Sequence, residues 1–198
     1  MQISPPIVSD KRRDAVRTQA RILNAAQEVF STRGYGEARV RDITELAEVN
    51  PALVSRYFGS KLRLYEMALR AALDVRRLVG VEKHEFGTGI VRSFVDPGPD
   101  SLNPLPMMMF AAADEEARAV ALRLLQEVIA EPLARWFGGQ DGAERAARVL
   151  ALTAGFFYYR LVYPLPPFLG ELAPATRRWL EAALQVIADA PPQEAVHI

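Results

Sequence analysis

The sequence predicts an all-α chain, and three observations carry that prediction. Apolar residues recur at three- and four-residue steps in one segment after another. The breaks between those segments are marked by Gly, Pro and Asn-Pro, which stop helices or start them. No stretch sustains the apolar–polar alternation of a half-buried strand. With 198 residues, half of them apolar, the chain is long enough to bury a real core.

The elements follow in order. Residues 1–16 contain Pro5, Pro6 and the run Asp10-Lys11-Arg12-Arg13 and read as a flexible basic arm. A first helix then places Ile22, Ala26, Val29 and Phe30 on one face, and Gly34 and Gly36 stop it. A second, short helix puts Val40, Ile43, Leu46 and Ala47 on one side. After a turn of two or three residues, Asn50 offers a capping oxygen and Pro51 suits the first helical position, where its missing N–H costs nothing. This third helix reaches Phe58. Gly59 ends it, and Ser60 caps a fourth helix carrying Leu64, Tyr65, Ala68, Ala72, Val75 and Val79.

From Gly80 to Pro106 the pattern is less regular, and the run 96–106 reads as a loop by its Pro and Gly content. Asn103 repeats the Asn-Pro helix start ahead of Met107, Met108, Met109 and Phe110. A long amphipathic helix follows. Asp114, Glu115 and Glu116 complement the dipole at its N-terminus, and Gly138-Gly139 end it. Pro132 lies inside that helix and should kink it near Ile129 to Pro132. Another helix runs from about Ala143 to Tyr163, stopped by Pro164, Pro166 and Pro167; the last carries Trp179, Leu180, Ala183, Leu184 and Ile187 on its apolar side.

Composition removes several chemistries. There is no cysteine, so thiolate catalysis and cysteine-ligated metals are excluded. His84 and His197 are isolated, which leaves no His-based triad or metal site in view. Glu115-Glu116 is explained as a helix start, and Phe86-Gly-Thr-Gly follows no strand and is no nucleotide motif. No catalytic residue, metal or cofactor is therefore expected. The first ten residues lack the pattern of a signal peptide. The least polar stretch, Val149 to Tyr159, falls far short of the ~20 residues of a membrane span. A cytoplasmic protein without a membrane partner is expected. Net charge is zero overall, but the first 63 residues hold 11 Lys/Arg against 7 Asp/Glu and the rest 13 against 17. A mildly basic head thus precedes a mildly acidic body.

Two short helices joined by a tight turn and braced by a preceding helix make a helix-turn-helix pattern. Its inner face, Ile43, Ala47, Val49, Val54 and Phe58, should close onto Ile22, Ala26, Val29 and Phe30. Pro51, Ala52, Leu53, Ser55 and Arg56 are then left outside as a small-residue surface able to approach base edges. Tyr57 and Lys61 fall at the rim, where a hydroxyl and an ammonium suit phosphate oxygens, and Arg41 reaches a guanine or a phosphate. Each cation taken alone is equally an ordinary solvated one. The arrangement, not any single residue, points to DNA.

The segment from about Thr18 to Leu69 resembles the N-terminal domain of the TetR family of transcriptional regulators. The matching runs are "ILNAAQEVFSTRGY", "VRDITELAEVN" and "PALVSRYFGSKLRLYEMAL". The resemblance implies a helix-turn-helix DNA-binding domain over 17–63 and a helical ligand-binding and dimerisation domain over 64–198. It further implies a homodimer on a palindromic operator in double-stranded DNA. By position, Arg41 resembles a base-reading site, Pro51 to Ser55 the recognition surface, and Tyr57 and Lys61 phosphate contacts; Asn50 borders that surface. Two residues depart from the family pattern. Glu48 stands where many members have glycine, and must accept a left-handed backbone at ~1 kcal/mol or use another turn. Arg39 replaces a Thr or Ser cap, giving up its hydrogen bond for a charge-assisted phosphate contact.

The helix from about Ala143 is apolar nearly all round between Val149 and Tyr159, so it needs cover on more than one side. Pairing with the last helix in a four-helix dimer interface supplies that cover; the alternative is a central place in a monomer core. Met107, Met108, Phe110, Trp136, Phe156 and Tyr159 are candidates for a pocket taking a small apolar or amphipathic effector, and ordinary packing is the alternative. Arg160 either pairs with an acid or anchors an anionic ligand. The function expected is a DNA-binding transcriptional regulator, a ligand-released repressor. The competing reading is a helical small-molecule-binding protein or enzyme with no DNA role.

Overall fold

The computed structural model describes residues 8–95 and 103–190. Residues 1–7 of the expected arm, 96–102 of the expected loop, and His197 lie outside the described residues. Every regular element among the described residues is helical: α1 (Val8–Glu37), α2 (Val40–Leu46), α3 (Ala52–Phe58), α4 (Lys61–Ala72), α5 (Arg76–Val79), α6 (Phe86–Val95), α7 (Leu105–Ala111), α8 (Glu115–Leu124), α9 (Glu131–Phe137), α10 (Gly142–Phe157) and α11 (Pro174–Asp189). Short 3₁₀ and π segments lie between some of them. No helix among the described residues is long and apolar enough to cross a membrane. The chain forms two compact units: Met1–Ala71 with Pro106–Ala121, and Ala72–Leu105 with Leu122–Ile198.

The first unit closes around the faces that the periodicity picks out. Ile22, Ala26 and Phe30 of α1, Ile43 of α2, Val54 and Phe58 of α3, and Leu64 and Tyr65 of α4 are all buried. Residues 8–16, read as arm, are the first turns of α1. Gly34 breaks that helix as expected, with φ 73° and ψ 169°. On α2 the buried face is Ile43, Thr44 and Ala47, whereas Leu46 is 47% exposed. The Thr44 hydroxyl is satisfied locally, donating to the Arg41 carbonyl at 3.0 Å, so a polar residue is buried without penalty.

This unit also takes in α7 and the start of α8. Two contacts tie α7 to it, one of them through a tyrosine of an aromatic cluster. The Tyr65 hydroxyl donates to the Met107 carbonyl at 3.2 Å, and burial pushes that hydroxyl's pKa up. Phe30, Tyr35 and Tyr65 form an aromatic cluster with centroids 5.3–6.0 Å apart. A Cβ on Gly34 would lie 2.7 Å from the Cβ of Phe110, so only glycine admits α7 this closely.

In the second unit, α6 and α11 pack through a glycine contact. A Cβ on Gly87 would sit 2.0 Å from the Glu181 carbonyl oxygen. The Gly87 N–H donates to Gln185 Oε1 at 2.9 Å, and Gln185 Nε2 donates to the Lys83 carbonyl at 2.8 Å. Sequence reading passes over α6 because two of its first four residues are glycine, a poor helix former; tertiary packing overrides the propensity. The kink expected near Pro132 takes the form of a π segment, Leu125–Ala130, immediately before α9. That wider turn absorbs a residue that cannot donate an N–H. Arg145 is 2% exposed and binds Asp141 at 2.8 Å, its guanidinium also reaching the Ala190 carbonyl. A buried cation is tolerated here because it is paired with a carboxylate and bonded to a carbonyl.

Candidate nucleic-acid interface

The helix-turn-helix is held by hydrogen bonds spanning two or three residues. Asn50 Oδ1 accepts from the Ala52 N–H at 2.8 Å, the capping role expected of it, although α3 begins at Ala52 rather than Pro51. Ser60 Oγ accepts from the Arg63 N–H at 3.1 Å and starts α4. Between them Gly59 has φ 79°. With Val54 and Phe58 buried, Pro51, Ala52, Ser55 and Arg56 are exposed, and Leu53 and Tyr57 half-buried. The Arg56 guanidinium carbon lies 5.9 Å from the centre of the Tyr57 ring. The outer face of α3 therefore carries small side chains with one cation beside an aromatic.

The two departures have structural answers. Glu48 adopts the left-handed backbone, φ 49°. Arg21, on α1, holds that turn from below: its Nη2 donates to the Ala47 carbonyl at 2.5 Å and reaches Glu48 Oε2 at 3.3 Å. Arg39, in the cap position, provides no side-chain cap. Asp42 acts from inside the helix instead, its Oδ2 accepting the Arg39 N–H at 2.9 Å. That is the reciprocal half of a capping box. This bond, and then the Arg33 guanidinium 3.1 Å away, hold the Asp42 carboxyl below its ordinary range. Arg41 is tied to Glu45 at 2.7 Å, a hydrogen bond that raises its pKa further.

Lys61 sits over the ring of Tyr35, Nζ 4.3 Å from its centre, a cation–π contact. Burial lowers the Lys61 pKa while the Asp114 carboxylate pulls the other way. Arg39 and Lys61, assigned separately from the sequence, line one cleft of about 790 Å³ with Arg33, Gly36, Glu37, Ala38 and Asp42. Arg21, Arg33 and Asp42 are the residues the sequence reading misses. Only Asp42 carries a local signal, an acid three residues after a helix start.

The effector candidates are shared between the two units. Met107, Met108 and Phe110 stand on α7 in the first unit; Trp136, Phe156, Tyr159 and Arg160 belong to the second. Met107 is 1% exposed and part of the core. Trp136 stacks on Phe86 at 5.0 Å, whereas Phe156 meets Phe168 at 5.4 Å and Tyr159 meets Tyr158 at 5.4 Å. Arg160 is engaged by backbone carbonyls. Its guanidinium lies 5.7 Å from the Phe156 ring centre and donates to the carbonyls of Phe168 and, at 2.9 Å, Gly170. It fastens the loop that follows α10.

Comparison with known proteins supplies the family. Residues 22–68 match the model of bacterial regulatory proteins of the tetR family, and residues 84–187 match that of the tetracyclin repressor-like C-terminal domain. A 55-residue stretch is 40% identical to the HTH-type transcriptional repressor NicS of Pseudomonas putida, covering 28% of this chain and 26% of that protein. A protein assigned as a TetR-family transcriptional regulator from a Rhodococcus species superposes with a TM-score of 0.69 at 21% identity, over 87% of this chain and 98% of its own. A protein assigned as a transcriptional regulator from Saccharomonospora viridis, crystallised with choline, gives 0.62 at 18% identity, over 90% and 100%. At such identities the superpositions show the fold alone. The C-terminal model covers more than half of the chain, the N-terminal model covers the helix-turn-helix, and the chain belongs to the TetR family of transcriptional regulators.

Proposed function

We propose that the chain acts as a homodimeric repressor on a palindromic operator and leaves it when a small apolar or amphipathic molecule binds the second unit. The single observation that carries the DNA half of this reading is the two-sidedness of α3. Val54 and Phe58 anchor it inward, while Pro51, Ala52 and Ser55 leave a low outer surface flanked by Arg56, Tyr57 and Lys61. Small side chains admit the helix to a major groove, and the cations and hydroxyl beside them bind the strand. Asn50, Leu53, Arg39 and Arg41 complete the proposed contact set. The sign of regulation rests on the repressor named above.

Dimerisation is supported by two exposed apolar stripes. Ala147, Ala151, Ala154 and Tyr158 follow one another along α10 and its continuation at steps of three and four, all exposed. Ala175, Trp179, Ala182 and Val186 do the same on α11, with Trp179 53% and Val186 70% exposed. Both helices bury their opposite faces in the unit. Two such stripes from each of two copies make a four-helix interface. Half-sites one helical turn apart, ~34–36 Å, then set the spacing of the two α3 helices. An effector acts by favouring the arrangement that misses this spacing. A fold neighbour holds a small molecule, choline, which supports a small-molecule effector here; in this chain Trp136, Phe156, Tyr159 and Arg160 are its proposed neighbours.

Selection of bound duplexes from a random pool tests the reading. A palindromic consensus is expected, with binding weakened by Lys61→Ala and Tyr57→Ala, each measured well below that variant's own melting transition. A chain that retains no duplex in dilute buffer sinks the DNA assignment and leaves the small-molecule-binding alternative.

A further inference from the structure

The cleft beside α2 gathers cations from three elements, and the sequence reading accounts for two of them. Arg33 comes from α1 just ahead of its break at Gly34, Arg39 from the start of α2, and Lys61 from the start of α4. Gly36 and Ala38 line it with little or no side chain, and a Cβ on Gly36 would meet nothing within 4 Å. Two acids, Glu37 and Asp42, also line it. Asp42 is already engaged on one oxygen, taking the Arg33 Nη1 at 3.1 Å and the Arg39 N–H at 2.9 Å. Arg33 itself is 57% exposed. An ion pair of that exposure is weak, and its guanidinium edge offers more donors than one oxygen occupies.

We propose that this cleft seats one phosphodiester of the DNA backbone and that Arg33 is the third cation on it, exchanging part of its contact with Asp42 for a phosphate oxygen. In the absence of DNA the Asp42 carboxylate stands in for the phosphate and keeps the guanidinium aimed at the cleft. Arg33 then contributes affinity without sequence information, since a phosphate is the same at every step. The inference rests on the regulator reading and adds to it a contact residue outside both helices of the motif.

The test measures affinity of the full-length protein for its selected duplex and for an unrelated duplex, from 50 to 250 mM salt, in wild type, Arg33→Gln and Arg33→Lys. The glutamine variant removes one phosphate contact from each half of the dimer and is expected to lower the slope of log affinity against log salt by ~1.8, a loss of roughly sixty-fold at 0.1 M, on both duplexes alike. The lysine variant keeps the slope. Thermal unfolding of each variant reads the Asp42 contact separately. A glutamine variant that melts lower but keeps the wild-type slope makes Arg33 a structural partner of Asp42 and overturns the inference while the regulator reading stands. Wild type that binds neither duplex removes both. Inorganic phosphate that, at constant ionic strength, stabilises wild type and not Arg33→Gln, with the slope unchanged, assigns the cleft to a free anion and also overturns it.

Discussion

The two units present different exteriors. On the helix-turn-helix the exposed residues of α3 are small or polar, with Val54 and Phe58 buried and Leu53 half-buried; Val16, Leu46 and Phe110, elsewhere in the first unit, are its exposed large apolar residues. On the second unit large apolar residues remain outside: Tyr158, Tyr159, Leu161, Tyr163, Leu165, Leu169, Trp179 and Val186 are each between 38% and 70% exposed. A surface made for a charged, hydrated duplex keeps cations and short side chains, whereas one made for a second protein keeps rigid apolar groups. On the proposed function the chain meets two kinds of partner, and each surface fails under a different kind of substitution.

The largest effect is expected on the apolar side. Trp179→Glu with Val186→Glu puts two like charges on the outer stripe of α11, and a two-fold axis doubles them across the interface. Both positions are more than half exposed, so folding of the unit is expected to survive. Sedimentation should shift from twice 22.0 kDa to a monomer, and operator affinity should fall with it. A double variant that still sediments as a dimer removes α11 from the interface.

Next comes a substitution that separates the units by stability. Gly87→Ala drives a methyl into the Glu181 carbonyl; overpacking of this kind costs about 1–3 kcal/mol. Circular dichroism during thermal unfolding should show an earlier transition. Duplex affinity, measured below that transition, should change much less than in the Lys61 variant. Equal loss of both would mean that α6 and α11 matter to DNA binding beyond their own packing.

What was legible in the sequence follows the range of the interaction. The all-helical fold, the inward face of the motif and the caps of Asn50 and Ser60 were readable because periodicity and capping act over two to four residues. The position of α7 was not, because the Tyr65–Met107 hydrogen bond joins residues 42 apart. Nor was α6, whose glycines look like a loop until Glu181 is seen against Gly87 and Val81 against Gly89. Trp179 shows the same limit from the other side. Periodicity placed it with Leu180 and Leu184, which are buried, but on a helix apolar on two faces it cannot say which face belongs to the chain itself.

A smaller effect is expected at the turn of the motif. Arg21→Ala removes a charge-assisted bond to the Ala47 carbonyl, at a cost of about 1–2 kcal/mol. Glu48→Gly relieves a left-handed residue worth ~1 kcal/mol but gives up a weak surface ion pair. The single Glu48 variant should therefore be close to neutral in chemical denaturation. In the Arg21→Ala background, where no pair is left to lose, the same substitution should stabilise by ~1 kcal/mol. Strict additivity would show that Arg21 and Glu48 do not share the turn.

The smallest effect is a pH dependence in the first unit. The Asp42 carboxyl is held below its ordinary range first by the Arg39 amide and then by Arg33. A depressed folded pKa contributes stability that is present above the unfolded value of ~3.9 and is lost as pH falls through the folded value. Asp42→Asn keeps an acceptor for the amide but cannot titrate. The difference in melting temperature between wild type and variant should therefore be constant from pH 7 to 5 and shrink below about pH 4. Other carboxylates titrate there too, but they are common to both proteins and cancel in the difference. A difference that does not change down to pH 3 would mean that Asp42 gains nothing from being charged, and the Arg33 ion pair would then hold no guanidinium ready for a phosphate.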